Sequence, residues 1–476
     1  MTDVLLGVDL GTSGVKVVLL GLDGGIRAET SREYQVEATG AGWAETPPER
    51  WWDATASAVG EALGSGSFDV VAVGVDGQMH GLVLADAAGV PVRPAALWPD
   101  TRARAEVAAW EALPDPMRRR LANPLAPGMT GPMLLWVRRN EPAAYERSRI
   151  ALLPKDWLRH RLTGVFATDP SDASATLLWD VPGDCWARAV VDAVGLDPAL
   201  LPPVRASADA AGTVTPAAAR ALRLDAGVPV ATGAAATAAT LHATGLTDTG
   251  DLQVSVGSGA QVVRPLSRPA DAPRPRTHTY RAAASSGWYA MAAVQNAGVA
   301  LDWAGRVLGL TWDELYAASG APGADGVTFV PYLTGERTPV LDPDARAAWV
   351  GMGLAADRSA LARAAVEGVA FAVRHALEAL PGTAPDEARL AGGGAAPPAF
   401  RRLLTDVLGI ALRPVALRSA SAVGAALLAA AAAGLPVPPA PLTWGDPMTP
   451  SPAAAAYQPA YRRYLDTVAT LLGGVP

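Results

Sequence analysis

Two short stretches of the chain repeat one pattern: an apolar β-type run, a tight turn of glycines and hydroxyl residues, and a second apolar run. They cover residues 4–19 and 252–263. Each pattern predicts a β-hairpin whose tip exposes backbone N–H groups and hydroxyls, which can bind phosphate. The candidate phosphate-binding residues are Gly11, Thr12, Ser13 and Gly14 in the first tip and Gly257, Ser258 and Gly259 in the second.

The pair of hairpins is more informative than either copy alone. A single glycine-rich hairpin is ordinary turn chemistry. Two copies about half a chain apart favour a duplicated fold in which each half contributes one loop to a nucleotide. Asp9 ends the first strand of the first copy, where a carboxylate can hold a hydrated Mg²⁺ beside the phosphates. Lys16 lies on the next strand, and its side chain can face either side of the sheet.

A third candidate loop follows an apolar run at residues 70–75, which is typical of a strand buried on both faces. The loop contains Gln78, Met79 and His80, at the strand end where open α/β sheets bind ligands. Amide and imidazole groups can bind sugar hydroxyls, with the methionine as an apolar floor. A lone histidine is more often structural, but its place in a polar loop favours a ligand role.

Three further positions are weaker candidates. Asp100 could hold sugar hydroxyls or simply pair with Arg102, and Trp98 could stack on a sugar or fill the core. Residues 392–395 (GGGA) would let the adenine ring of a nucleotide approach the backbone, although a glycine triplet is more often a turn into a helix.

Composition favours a globular protein that acts on a small polar substrate. The chain has 476 residues, a net charge of −7, 50% hydrophobic residues and 18% charged residues. This acidic balance argues against binding to nucleic acid or to a membrane surface. Cys185 is the only cysteine, which excludes an intrachain disulfide and fits a cytoplasmic location. We expect the alanine-rich run at 422–435 to form a buried helix, because it is too short for a membrane span.

Strands and helices alternate in both halves of the chain, which predicts an α/β protein with two domains. We place the domain boundary so that residues 1–245 carry the first hairpin and the loop with Gln78, Met79 and His80, which we call the sugar loop. Residues 246–476 carry the second hairpin. Helices are predicted at 103–113 and 359–380, among others.

Taken together, the motifs resemble those of the FGGY carbohydrate kinases of the actin/hexokinase superfamily, and within them the xylulokinases. The matches extend over nearly the whole chain: residues 9–16 (DLGTSGVK), 42–45 (GWAE), 51–52 (WW), 77–81 (GQMHG), 97–100 (LWPD), 153–156 (LPKD), 301–303 (LDW), 331–339 (PYLTGERTP), 367–368 (EG) and 392–395 (GGGA). The triplet of Gln78, Met79 and His80 distinguishes the xylulokinase branch.

The resemblance implies two ribonuclease-H-like domains around a cleft, with ATP and Mg²⁺ as cofactors. It implies transfer of the γ-phosphate to the terminal hydroxyl of D-xylulose. The expected partner is then a small sugar, and neither nucleic acid nor a membrane is expected as a partner. Whether the protein forms a homodimer is left open by the resemblance. By similarity, the nucleotide also lies near Gly298, Gly393, Gly394 and Ala395.

One departure from the family pattern concerns catalysis. The family carries its catalytic base as an Asp in a glycine-rich stretch after the last strand of the first domain. Here that stretch is residues 233–238 (GAAATA), and Ala236 stands at the position of the Asp. Thr237 replaces the Asn of xylulokinases in the substrate site, and Pro397 and Pro398 stand where relatives have a polar helix start near adenine.

Three explanations of Ala236 compete: an engineered Asp→Ala change, a natural sugar or nucleotide sensor without catalysis, or a neighbouring carboxylate that takes over. The otherwise intact motifs favour the first. The rival functions are a kinase for another ketose or polyol and a non-catalytic binding protein. An actin-like structural ATPase is disfavoured by the sugar loop.

Overall fold

The structure is a computed structural model that describes residues 1–284, 287–320 and 323–473. The strands of the first half are β1 (Thr2–Leu10), β2 (Gly14–Gly21), β3 (Ile26–Glu33), β4 (Glu45–Thr46), β5 (Phe68–Gly77), β6 (Val83–Ala85), β7 (Ala95–Ala96), β8 (Ile150–Leu152), β9 (Trp179–Asp180), β10 (Cys185–Trp186), β11 (Ala210–Thr213), β12 (Pro229–Ala231) and β13 (Ala234–Ala235). Those of the second half are β14 (Gln253–Val256), β15 (Ala260–Leu266), β16 (His278–Arg281), β17 (Trp288–Val294), β18 (Thr328–Val330), β19 (Ala348–Val350), β20 (Glu387–Ala391), β21 (Ala411–Ala416) and β22 (Thr443–Trp444).

Helices connect these strands and cover the sheets. In the first half they are α1 (Pro48–Gly64), α2 (Ala108–Glu111), α3 (Asp115–Leu121), α4 (Thr130–Asn140), α5 (Pro142–Arg147), α6 (Pro154–Thr163), α7 (Pro170–Ala173), α8 (Arg188–Ala193), α9 (Pro216–Leu222) and α10 (Ala236–Ala243). In the second half they are α11 (Gly298–Leu308), α12 (Trp312–Ala317), α13 (Arg358–Ala379), α14 (Pro398–Leu408), α15 (Ala420–Ala432) and α16 (Tyr457–Leu471).

The two large sheets share one topology. In the first, β1, β2 and β3 form an antiparallel meander, and β5 and β12 extend the sheet in parallel from the other edge of β1. In the second, β14, β15 and β17 form the meander, and β20 and β21 extend it in parallel from β14. This repeat confirms the α/β expectation and the two ribonuclease-H-like units. It also places the predicted hairpin tips at equivalent points of the two sheets.

Helix α15, from the second half of the chain, packs on β1 and β5 of the first sheet and on α10. The approach is close because glycines face it: a Cβ on Gly7 would lie 1.9 Å from the Ala422 carbonyl oxygen, and one on Gly74 would lie 1.9 Å from that of Ala425. The alanine-rich run therefore forms a buried helix, as expected. Within the described residues, none of the helices is both long and apolar enough to cross a membrane.

One predicted helix is wrong. Residues 103–113 form only a short 3₁₀ turn at Arg102–Arg104 and the single turn of α2. The apolar spacing there instead places Ala103 and Trp110 in a satellite core beneath α4. The helix predicted at 359–380 is present as α13, and its ends differ from the prediction by one residue. The structure does not test the domain boundary, which stays a prediction.

Candidate active site

The first hairpin tip joins β1 to β2, where Asp9 pairs with Lys16 and Leu10 pairs with Val15. The Tyr34 hydroxyl donates to the carbonyl of Gly11. The indole Nε1 of Trp98 donates to Thr12 Oγ1 at 2.8 Å. These two bonds hold the tip on its sheet.

Asp9 lies at the base of this tip, with its carboxylate turned toward the start of α15. Ser421 Oγ donates to Asp9 Oδ2 at 2.6 Å. Burial raises the pKa of Asp9, and hydrogen bonds with Ser421 and Asp76 offset the rise in part. Asp76 is the register partner of Asp9 on β5, and burial together with the Asp9 charge raises the pKa of Asp76 well above its usual value.

The sugar loop leaves β5 and passes beside the first tip. Gln78 Nε2 donates to the Gly11 carbonyl at 3.2 Å. His80 adopts a left-handed backbone (φ 70°), and its Nδ1 lies 2.7 Å from the Ala175 carbonyl oxygen. Burial lowers the pKa of His80 to about 4. The imidazole is therefore neutral at pH 7, and with Nδ1 donating to the carbonyl its Nε2 is an acceptor for a ligand hydroxyl.

The second hairpin tip is held from below by the start of α11. The amide of Gly298 donates to the Gly257 carbonyl at 3.0 Å, and the amide of Ala297 donates to the Ser258 carbonyl at 3.1 Å. A Cβ on Gly298 would lie 2.5 Å from the Gly257 carbonyl oxygen. Glycine is required there because any side chain would push the tip away from the helix.

Both tips and the sugar loop open into one cavity of about 580 Å³. The predicted site residues that line it are Gly11, Thr12, Gln78, Met79, His80, Ala236, Thr237, Gly257, Ser258 and Gly259. A neighbouring cavity of about 540 Å³ shares Gly257 and Ser258 and is also lined by Gly298, Gly393 and Gly394. The two cavities thus meet at the second tip.

Five predicted site residues do not line either cavity: Asp9, Ser13, Gly14, Asp100 and Ala395. Asp100 is buried, and both of its carboxylate oxygens are occupied: Ala44 N donates at 2.8 Å and the Arg102 guanidinium at 2.6 to 3.0 Å. The alternative of an Asp100–Arg102 pair is the one that the structure shows. Ser13, Gly14 and Ala395 lie beside residues that do line the cavities, but they are not part of the walls.

Ala236 is the first residue of α10 and presents a methyl group to the cavity. A chain of buried polar groups holds the preceding residue: Ala235 N donates to Ser171 Oγ at 2.9 Å, and Ser171 Oγ donates to Asp169 Oδ2 at 2.5 Å. Lys155 Nζ lies 3.0 Å from the other oxygen of Asp169. The position of residue 236 is therefore fixed, although its side chain has no acid–base chemistry.

Three residues that line the two cavities have no role predicted from the sequence. Arg337 lines the sugar-loop cavity, with its guanidinium carbon 4.5 Å from the ring centroid of Trp98. Trp312 and Tyr316 stack on each other with 5.5 Å between their ring centroids and line the second cavity. Arg337 belongs to one of the matched motifs, but the motif does not predict that its side chain points into the cavity.

Comparison with known proteins identifies the family. The model of the N-terminal domain of the FGGY family of carbohydrate kinases matches residues 4–242, and the model of the C-terminal domain matches residues 252–433. The xylulose kinase of Escherichia coli strain K12 is 36% identical over 432 residues, covering 89% of this chain and 88% of that protein. The xylulose kinase of Bacillus subtilis strain 168 is 31% identical over 440 residues, covering 90% of this chain and 88% of that protein.

Comparison with solved structures supports the same family assignment. A crystal structure from Brucella ovis, described as a xyloylose kinase, superposes with a TM-score of 0.91 at 33% identity, covering 98% of this chain and 99% of that one. The xylulose kinase of Rhodospirillum rubrum superposes with a TM-score of 0.90 at 28% identity and the same coverage. Two family models that together span most of the sequence, and relatives above 30% identity over nearly all of it, show that the chain belongs to the FGGY family of carbohydrate kinases.

Proposed function

We propose that this chain is built to transfer the γ-phosphate of ATP to a terminal hydroxyl of a ketopentose, D-xylulose first, and that Ala236 limits its turnover. The observation that carries the proposal is the single cavity that joins Gln78 to His80 with both hairpin tips. Phosphoryl transfer requires an acceptor hydroxyl in line with a phosphate held by backbone donors. The relatives named xylulose kinase support the choice of sugar.

The nucleotide is assigned to the second cavity. Its adenine ring fits against the stacked Trp312 and Tyr316 and the glycine backbone at Gly393 and Gly394. The phosphates then extend toward the shared residues Gly257 and Ser258. Backbone N–H groups at such a tip stabilise the charge that develops on the transferred group.

The residues around Asp9 fit a hydrated Mg²⁺. A carboxylate oxygen is the ligand type that this ion prefers, and Asp9 stands at the base of the tip that would hold the phosphates. The ion supplies neutralisation of phosphate charge when bound. Asp9 would hold it through water, and Ser421 fixes the orientation of the carboxylate.

The sugar is assigned to the loop with Gln78, Met79 and His80. The neutral His80 ring offers Nε2 as an acceptor to a sugar hydroxyl, while Met79 packs on the apolar side. Thr237 lies in the same wall and offers a hydroxyl. These groups bind and orient the sugar between the two tips.

Ala236 removes the group that would accept the proton of the sugar hydroxyl. A methyl group neither accepts that proton nor orients the hydroxyl, and a positioned general base contributes about 10²–10⁴-fold to rate. The chain should therefore bind its substrates better than it turns them over.

The first test is sugar-dependent ADP release, measured by a coupled assay, for this chain and its Ala236→Asp variant. The panel holds D-xylulose, other ketoses, and polyols such as glycerol and ribitol. We expect Ala236→Asp to raise turnover with D-xylulose by about 10²–10⁴-fold. Ala236→Asn is the matched control, because it adds a similar volume without a base. An equal gain in that variant would contradict the assignment, and a different best sugar would make the protein another ketose or polyol kinase.

A non-catalytic sugar or nucleotide sensor is the second candidate. It is favoured because Ala236 presents a methyl group to a cavity that the other predicted binding residues line. Tight sugar binding without turnover in either variant would select it.

A further inference from the structure

The sugar cavity carries a positive charge that is only partly compensated. Among the described residues of its wall, Arg337 is the one with a formal charge, and the others offer backbone groups, hydroxyls, amides and apolar side chains. His80 is neutral at pH 7 because burial lowers its pKa to about 4. The one formal charge that the described wall presents to a ligand is therefore positive.

Arg337 lies on the sugar side of the cleft. Its guanidinium covers the face of Trp98, whose Nε1 donates to Thr12 at the first tip. It is close enough to His80 and His278 to disfavour the protonation of both rings. It is not part of the wall of the nucleotide cavity. The cation thus sits between the sugar loop and the first phosphate tip.

The acidic side chain that acts on the charge of Arg337 is Glu336, which favours the protonated guanidinium. The carboxyl of Glu336 also accepts from backbone amides: Gln295 N donates to it at 2.6 Å and Arg337 N at 2.8 Å. Burial raises the pKa of Glu336 to about 7, so this carboxyl compensates the cation only in part at neutral pH.

Position 236 lines the same cavity and is where a counter-charge would stand. Ala236 supplies none. It also begins α10, whose N-cap residue Ala235 has no side-chain group to accept from the first-turn amides. An uncapped helix start favours an anion. A partly buried cation whose charge is only partly compensated is costly, and an anionic ligand relieves that cost.

From this arrangement we propose that the sugar cavity of this chain selects a sugar that carries an anionic group, a phosphate or a carboxylate, over the neutral sugar. The proposal rests on the proposed function, because it takes the cavity to be the sugar site. A sugar phosphate is what the transfer step leaves in the cavity. A sugar acid presents the same charge without any prior transfer.

The test is isothermal titration calorimetry on the full chain without nucleotide, with D-xylulose, D-xylulose 5-phosphate, D-xylonate and inorganic phosphate as separate ligands. We expect at least one anionic sugar to bind tenfold or more tightly than D-xylulose. Comparing the affinities for D-xylulose 5-phosphate and D-xylonate shows whether the site prefers a phosphate or a carboxylate. Equal affinity for neutral and anionic sugars would overturn the proposal. So would inorganic phosphate binding as tightly as the anionic sugar, because the site would then recognise phosphate alone.

Three variants locate the effect. Arg337→Gln should make the affinities for the anionic and the neutral sugar about equal, whereas Arg337→Lys should keep most of the difference. Ala236→Asp should abolish the difference by supplying the counter-charge. Arg346→Gln is the matched control: it removes the same charge from the same loop, where Arg346 donates to the carbonyls of Pro343 and Ala345. A preference that survives both Arg337→Gln and Ala236→Asp would refute the assignment. An equal loss of ATP affinity in Arg337→Gln would assign the cation to the nucleotide and also refute it.

Failure of this proposal differs from failure of the proposed function. D-xylulose binding and turnover by Ala236→Asp, without any anion preference in the parent chain, would overturn only the present inference. Absence of binding by every sugar, neutral or anionic, would overturn both.

Discussion

The guanidinium of Arg337, from the second half of the chain, lies over the indole of Trp98, from the first half, with 4.5 Å between its carbon and the ring centroid. The same indole donates to Thr12 at 2.8 Å. One aromatic side chain therefore links the cation of one half to the phosphate tip of the other, across the cavity that both line. A cation–π contact of this kind contributes from about 0.5 kcal/mol when exposed to about 2 kcal/mol when desolvated.

Substitution of Trp98 should weaken ligand binding in two separable steps. Trp98→Phe keeps an aromatic face for Arg337 and loses the bond to Thr12, so we expect about a threefold loss of sugar affinity. Trp98→Ala removes both contacts and should cost about tenfold or more, in line with the cation–π range. Calorimetric titration with the best sugar measures both variants. Equal losses would show that the aromatic face is irrelevant.

A buried ionic cluster supports the start of α10 from behind the site. Lys155 Nζ lies 2.5 Å from Asp156, 3.0 Å from Asp169 and 3.2 Å from Asp172, and all four side chains are fully buried. Burial opposes the charge on Lys155, but the three carboxylates together outweigh this and raise its pKa. The cluster reaches the site through the bond from Ser171 to Asp169.

Lys155→Met should therefore destabilise the protein strongly, because it removes the cation paired with the buried carboxyls of Asp169 and Asp172. Arg159 still pairs with Asp156 in this variant. Removing one partner of a buried ionic group costs about 3–5 kcal/mol. Urea unfolding followed by circular dichroism gives the free energy. The control is Arg306→Met, which breaks an exposed pair with Asp302 on α11 and should change stability by less than about 1 kcal/mol. A loss in Lys155→Met no larger than in this control would contradict the argument.

The two hairpins and the loop after β5 could be predicted from sequence because each is a local pattern. An apolar run, a glycine turn and a second run define a hairpin such as the one between Asp9 and Lys16 without any knowledge of the rest of the fold. The same holds for the long helix α13, whose apolar residues recur with helical spacing over many turns.

Features that depend on contacts distant in sequence could not be predicted. Arg337 becomes a site residue only because its loop crosses to Trp98 of the other half. The pairing of Asp100 with Arg102 was one of the two predicted alternatives, but the hydrogen bond from the Ala44 amide, which is distant in sequence, was not predicted. Local periodicity around Trp110 predicted one continuous helix over 103–113, whereas the structure has only a short 3₁₀ turn and the short α2 there, packed in a satellite core.

Stability should fall in acid because His80 is buried as a neutral ring. Its pKa is lowered by burial to about 4 from an ordinary value of 6.5, so the unfolded chain binds more protons between these two values. The free energy of unfolding contributed by this residue is thus fully present above pH 6.5 and is lost as the pH falls toward 4, by up to about 3 kcal/mol.

Urea unfolding at pH 7, 6, 5 and 4.5 tests this expectation against His80→Gln, which retains a donor for the Ala175 carbonyl. The variant should show a shallower decline over this range. Burial also lowers the pKa of the other four histidines, which remain as contributors in both proteins: His160, His242, His278 and His375. Identical pH slopes for the two proteins would exclude His80 as a source of the acid sensitivity.

Gly298 should be critical for nucleotide binding. A Cβ at this position would meet the Gly257 carbonyl oxygen at 2.5 Å, so Gly298→Ala must move the second hairpin tip away from α11. Displaced backbone donors lose their alignment with the phosphates, and we expect ATP affinity to fall at least tenfold. The matched control is Gly60→Ala in α1, where a Cβ would meet no atom within 4 Å. That variant should bind ATP normally and gain up to about 1 kcal/mol of stability from helix propensity. Titration with ATP decides the matter: unchanged affinity in Gly298→Ala would show that the second tip does not hold the phosphates.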